Sequence, residues 1–487
     1  MSGRRCAAGP QRRPLRADWR VALAACRGRA CVMCSFDNIS NSASIYARLG
    51  RLSRKRHNCG GPAAAFAVTN RAGVSSHRHI NRKGLEHMST EAGRATQEHI
   101  VVIGGGYAGL HVVHALRKQK GSAVRITLVD KMTSHLRKVM LFKKAVGDAE
   151  LRIPFSAYFD EAVKVLQAEL TAVDSAARVV ELRRPDGSVQ RLAYDRLALC
   201  LGSTVVAAEP EQGGVSLVDE ASAARIRELL EQQLDAAARA PGEAEQRALL
   251  SVTVAGGGIT GIETACELAH ALRSRAGQLG IEPGRVTVTL VNASPRLMPD
   301  APPKVGRRLG QELAALGVAV RHNSKAVRAE AERLVLASGE TLASALCVWT
   351  LGARPSALAA RLGLPVTPGG KLLVDAQYRV HGEERVYAIG DNAHIVDPAT
   401  GRADGMTCKE AGPQAGRLAQ IMLADAQGRS GPEHRGYATV FCISLGPERA
   451  LVWMRKLGVD LLIGGKAGLS IRLKTWDMAS LVDSKLK

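Results

Sequence analysis

Two glycine clusters carry the first chemical information in this chain. In EHIVVIGGGYAGLHVVHALRKQ an apolar run from Ile100 to Ile103 meets Gly104, Gly106 and Gly109, after which Leu110, Val113 and Leu116 recur on one helical face. Strand, tight turn and helix in that order make a phosphate-binding unit. Gly104 permits the turn, Gly106 lets a pyrophosphate approach the backbone, and Gly109 lets the helix lie close to the strand. Unpaired N–H groups and the dipole at the helix start favour the negative charge. The next apolar run, VRITLV, ends at Asp130, 21 residues after Gly109, where a carboxylate accepts hydrogen bonds from an adenosine ribose. Glycine is 49 of 487 residues, so the spacing alone says little; the ordered strand, helix and acid make it specific.

The arrangement recurs. SVTVAGGGITGIETACELAHAL sets Gly256, Gly258 and Gly261 between a Val-rich strand and a helix, and VTVTLV then ends at Asn292. Two such units imply two dinucleotides, and an enzyme passing a hydride between them is the economical explanation. The usual pairing is a nicotinamide donor, NAD(P)H, with a flavin acceptor, FAD. Asn292 stands where an acid usually holds the ribose 2′-hydroxyl. It can still bond a hydroxyl and does not repel a 2′-phosphate.

The wider composition is that of a globular protein. With 46% hydrophobic and 23% charged residues, 487 residues have room for about two to four domains. No run approaches the ~18 apolar residues of a membrane-spanning helix. The net charge of +22 is concentrated at the start: residues 1–87 hold 17 Lys and Arg against 3 Asp and Glu. The rest of the chain is mildly basic and needs no nucleic acid as partner. The leader, through residue 97, has no sustained period and is expected to lack a packed fold. A transit peptide, a basic arm and a start codon placed upstream of Met88 are the competing readings. Its CVMC pair, Cys31 and Cys34, lacks the second tight pair of a zinc site, so no metal is expected. Cys200, Cys266, Cys347, Cys408 and Cys442 are isolated and read as reduced core residues of an intracellular protein.

Three further segments carry a family resemblance. YDRLALCLGS at 194–203 contains Gly202, VWTLGARPS at 348–356 contains Gly352, and RVYAIGDNA at 385–393 contains Gly390 and Asp391. In this order they resemble the FAD-dependent pyridine nucleotide oxidoreductase superfamily. GITGIETACELAHALRSRAGQLGIEPGRVTVTLVNASPRLMP at 258–299 is similar to its type II NADH:quinone oxidoreductases, and TVFCISLGPERALVW at 439–453 to its apoptosis-inducing-factor-like branch.

The resemblance implies an α/β fold with two Rossmann-like domains of the glutathione-reductase type. Residues 98–215 and 370–425 would form the FAD domain, 216–369 an inserted NAD(P) domain, and 426–487 a small C-terminal region over the flavin. Asp391 would bond the ribityl hydroxyls, Gly390 would admit the pyrophosphate, and Lys138 would approach the flavin, although a solvated surface lysine fits that position nearly as well. Glu263 matches a carboxylate that positions nicotinamide and passes protons toward the acceptor; a carboxylate in a helix's first turn is also favourable for its own sake. Arg296 could pair with a 2′-phosphate but belongs to the family's RLMP-type pattern whichever cofactor is used, so NADH is favoured and NADPH stays open.

The disulfide reductases of the superfamily carry a CxxxxC pair where this chain reads SHLRKVMLFKKAVGDAE, so electrons leave the flavin directly. A quinone is the acceptor that the resemblance implies. Of the two glutamines in the branch's acceptor motif, Gln414 aligns with the second and Lys409 lies where the first would be. Gly412 and Pro413 suit a helix start there. The alternatives are a reductase of a ferredoxin- or rubredoxin-like carrier and a nucleotide-responsive flavin-binding protein. The expected location is the cytoplasm or the inner face of the cytoplasmic membrane, bound peripherally, or an organelle if the leader is a transit peptide. Oligomeric state is left open.

Overall fold

The structure is a computed structural model that describes residues 97–120, 124–456 and 458–482. The basic leader and its CVMC pair lie outside the described residues. The chain runs through β1 (Glu98–Ile103), α1 (Tyr107–Lys120), β2 (Val124–Asp130), β3 (Val163–Gln167) and β4 (Arg196–Leu199). It continues with β5 (Val215–Ser216), α2 (Glu220–Arg239), β6 (Ser251–Ala255) and α3 (Ile259–Gln278). Next come β7 (Thr287–Val291), α4 (Pro303–Ala315), β8 (Val318–Arg321) and β9 (Leu346–Trp349). β10 (Val386–Ala388) and α5 (Cys408–Asp425) precede a C-terminal unit of β11 (Val440–Ser444), β12 (Ala450–Lys456), β13 (Val459–Ile463) and α6 (Gly465–Ala479).

Two parallel sheets follow the same plan. The first has the order β10-β4-β1-β2-β3, and the second β5-β9-β6-β7-β8. In each, the strand that meets the glycines lies between the strand that follows its helix and a strand from later in the chain. Its C-terminal end is therefore the point where the winding reverses, the place open α/β sheets bind ligands. The central strands are buried on both faces, which is why IVVI in β1 and SVTVA in β6 read as continuous runs without alternation. β10 joins the first sheet after the whole second sheet has been made. An antiparallel ribbon, Ser203–Val205 against Ala353–Pro355, ties the two crossing points of the chain together.

α3 is stopped by a glycine device. Gly280 has φ +75°, and the N–H of Ile281 donates to the Ala276 carbonyl at 2.9 Å, while Gly280 N–H donates to Gly277. This is the pattern of a Schellman stop. Beyond the sheets, β11, β12 and β13 form an antiparallel meander on which α6 packs. Trp453 and Trp476 from this unit join Phe142 and the second sheet's core, so the C-terminal unit is part of the same hydrophobic interior.

One local expectation fails. Gly412 and Pro413 do not begin a helix; α5 starts at Cys408 and carries Pro413 inside it. Ala411, Ala415, Leu418, Ala419 and Met422 are buried where α5 packs along α1. That burial outweighs the one helical bond, from position 413 to the Lys409 carbonyl, that Pro413 cannot make.

Candidate functional site

Both glycine loops are built by the same contacts. A Cβ on Gly109 would sit 1.8 Å from the Gly104 carbonyl oxygen, and one on Gly261 would sit 1.8 Å from that of Gly256. Gly104 (φ +100°) and Gly256 (φ +129°) take backbone conformations that other residues rarely adopt. Around Gly106 and Gly258, by contrast, nothing lies within 4 Å of a Cβ position. The outer glycines are thus required by packing, and the middle one borders open space at a helix start. No side chain caps the N-terminus of α3 at Gly258, which leaves its first N–H groups for an anion. Two such cradles fit the pyrophosphates of two dinucleotides.

The ends of the second strands differ. Asp130 accepts the Gly105 N–H on Oδ2 at 2.6 Å and the Met132 N–H on Oδ1 at 2.7 Å. Burial raises its pKa, and those two N–H groups oppose the shift. It stands at the loop with lone pairs remaining for a ribose. Asn292 is buried, donates Nδ2 to the Ser294 carbonyl at 2.9 Å and lies 3.0 Å from His322 Nδ1. Arg296 is engaged locally: its guanidinium donates to the carbonyls of Met298, Pro299 and Ala301. It ties down a turn in which Met298 has φ +50°, a structural role that is independent of a 2′-phosphate.

At the C-terminal ends of β4 and β10 the structure gathers Lys138, Gly202, Gly390 and Asp391. Lys138 Nζ donates to the Ser203 carbonyl at 2.7 Å, and the Ser203 hydroxyl donates to Asp391 Oδ2 at 2.6 Å. Burial lowers the Lys138 pKa, and the nearby Asp391 charge opposes this. Gly202 (φ +64°) and Gly352 (φ +86°) flank the two strands of the linking ribbon. His135 occupies the region where a redox cysteine pair would stand. It is buried, 3.2 Å from the Gly105 carbonyl through Nδ1, and edge-on to Tyr107.

Glu263 is the fifth residue of α3, beyond the first turn expected from sequence, and is 2% exposed. Its Oε1 accepts two N–H bonds from Arg472 of α6, at 2.7 and 3.1 Å, and the Ser444 N–H of β11 at 2.9 Å. Arg472 in turn lies over the Trp476 ring at 4.5 Å. Burial pushes the Glu263 pKa up, and Arg472 is the main opposing influence. One turn on, Glu267 pairs with Lys143. At the start of α5, burial raises the Cys408 pKa, and the nearby Arg472 charge opposes this.

Sequence reasoning missed Ser203, Asn392, His135 and Arg472. Ser203 and Asn392 adjoin quoted motif residues and were within reach, whereas Arg472 has no local signal. Cys200, Cys266 and Cys347 are buried and free, but Cys408 and Cys442 are partly exposed and do not belong to the core. No group of three or more metal-ligating side chains occurs among the described residues.

Known proteins share this architecture. Residues 98–428 match the family described as pyridine nucleotide-disulphide oxidoreductase. A type II NADH:quinone oxidoreductase of Mycobacterium tuberculosis is 27% identical over 60% of this chain and 65% of its own length. An NADH dehydrogenase-like protein of the same organism is 34% identical over 60% of this chain and 72% of its own length. The structure of NDH2 from Plasmodium falciparum in complex with NADH has the same fold, with a TM-score of 0.66 at 15% identity over 78% of this chain and 94% of that one. The match spans both glycine cradles and the strand that returns to complete the first sheet, and on that extent the chain belongs to the pyridine nucleotide-disulphide oxidoreductase family.

Proposed function

We propose that this protein is an NADH dehydrogenase that passes a hydride from NADH to FAD and then two electrons to a quinone-type acceptor. The observation that carries this reading is the pair of matched cradles, each with open space at its middle glycine. The names of the two mycobacterial relatives support the donor, and that of the quinone oxidoreductase supports the acceptor.

The first loop and the start of α1 bind the FAD pyrophosphate, and Asp130 accepts from the adenosine ribose. Asp391, oriented by Ser203 and with Lys138 alongside, accepts from the ribityl hydroxyls. The Gly256–Gly261 loop and the start of α3 bind NADH, with Asn292 at its ribose. FAD, when bound, supplies the hydride-accepting and electron-releasing chemistry. Glu263 is a fixed acid at the nicotinamide end, held by Arg472 and the Ser444 N–H, and it orients the donor. Residues 98–215 with 370–425 serve FAD, 216–369 serve NADH, and 426–487 close the site.

Among the described residues no helix is long and apolar enough to cross a membrane. A lipid-soluble quinone is reached from the membrane surface, for which the exposed Val459, Leu461, Leu473 and Met478 of the C-terminal unit are suited. Anaerobic titration tests the reading: NADH bleaches the flavin band near ~450 nm, and a short-chain quinone restores it. A flavin spectrum unchanged by saturating NADH defeats the proposal. Turnover with an acidic iron–sulfur carrier and none with quinone replaces the acceptor.

A further inference from the structure

The segment Gly390–Asp391–Asn392 is held from both sides by buried amide side chains. On one side, Asn392 is fully buried; its Oδ1 accepts the Gly202 N–H at 3.2 Å and its Nδ2 donates to the Leu199 carbonyl at 3.4 Å. On the other, Gln414 of α5 accepts the Gly390 N–H on Oε1 at 2.8 Å and donates Nε2 to Asp404 Oδ2 at 2.8 Å. The chemistry of the partners fixes this orientation. A backbone N–H only donates and a carboxylate only accepts, so the amide has one satisfactory setting.

Asp404 itself sits against a buried cluster. Its Oδ1 lies 3.3 Å from Nε2 of the fully buried His434, without a hydrogen bond between them, and His434 Nδ1 is 2.9 Å from the Tyr378 hydroxyl. Arg417 then donates to the hydroxyls of Tyr378 and Tyr437 at 3.0 and 2.9 Å. Gln414 is 1% exposed, so neither end of its amide is open to a molecule from outside. Gly390 has φ +80°, and a Cβ there would come within 3.0 Å of Ala108. Its peptide therefore has little room, and a partner on its N–H sets the direction in which Asp391 leaves the chain.

We infer that Gln414 is a positioning residue for FAD, aligning Asp391 through the Gly390 peptide, and is not a contact for the electron acceptor. The inference rests on the reading that Gly390 and Asp391 hold FAD. It departs from the expectation raised by resemblance, in which the glutamine at this position belongs to the acceptor motif.

The test separates cofactor affinity from acceptor KM. Gln414→Met keeps the side chain's length and removes both hydrogen bonds, so its FAD Kd, read by fluorescence of released flavin, rises about tenfold or more. Its KM for a short-chain quinone, measured with excess FAD, stays within about twofold, since no interaction with that substrate is removed. Asp404→Ala raises the FAD Kd in the same way, and Asp404→Asn recovers most of the loss, because its carbonyl still accepts from Gln414. Wild-type FAD affinity in Gln414→Met, or a raised quinone KM with FAD affinity intact, overturns the inference. If Gln414→Met does not fold, the Asp404 pair decides: equal FAD affinity in the Ala and Asn variants overturns it. A wild-type protein that takes up no FAD is a different failure, that of the functional reading itself.

Discussion

Arg472, near the C-terminus, donates two hydrogen bonds to Oε1 of Glu263, 209 positions earlier in the chain. Both side chains are buried, so the acid in the second turn of α3 depends on a helix from the last structural unit for its counter-charge. Removing one partner of a buried pair leaves an uncompensated charge, at a cost of about 3–5 kcal/mol.

Arg472→Gln is therefore expected to lose stability in a pH-dependent way. Burial already raises the Glu263 pKa above its unfolded value, and losing Arg472 raises it further. A carboxyl with a raised folded pKa binds its proton more tightly when folded, so its stabilising share is complete below the unfolded pKa and is lost as pH rises through the folded one. The variant should melt closest to wild type at acidic pH and fall behind toward neutrality. Glu263→Gln combined with Arg472→Gln should recover part of the deficit. Melting curves across pH on the three proteins check this, and parallel curves for all three would count against it.

The middle and outer glycines should behave oppositely. Gly109→Ala places a Cβ against the Gly104 carbonyl and should cost about 3 kcal/mol or more. Gly106→Ala meets no protein atom; its stability should stay within about 0.5 kcal/mol of wild type, with weaker FAD binding. Thermal melting of the apoproteins with FAD titration distinguishes the two.

Arg296→Ala removes the donors to three turn carbonyls. We expect a loss of about 1–3 kcal/mol in stability with no change in the NADPH:NADH ratio of kcat/KM. A shift in that ratio without destabilisation would mean that the guanidinium serves the cofactor.

Asn292→Asp places a carboxylate next to the Gly257 peptide, beside the ribose site we propose. A 2′-phosphate then meets a like charge, and the NADPH:NADH ratio of kcat/KM should fall about tenfold. Steady-state kinetics with both nucleotides measure it.

Both cradles were legible because each is one contiguous strand, turn and helix, with an acid or amide about twenty to thirty residues on. The Gly104 turn, the open Gly106 and the packed Gly109 follow from local spacing. Gly412 and Pro413 misled for the same reason: local propensity takes no account of the burial of α5 along α1. Arg296 appeared available because its partners are backbone carbonyls, which carry no residue signature.

The order of residue types along the chain determined by itself that two nucleotide cradles exist, in which order, and without a thiol pair after the first. Only the tertiary structure decided what each polar group does there: that Gln414 turns inward to Gly390, that Asp391 meets Ser203 and lies near Lys138, and that Glu263 is held by Arg472. A cradle is made by neighbours in sequence, whereas a hydrogen-bond partner is chosen by proximity after segments hundreds of residues apart have packed. In a buried site each donor and acceptor must then be matched by whatever that packing brings within about 3 Å.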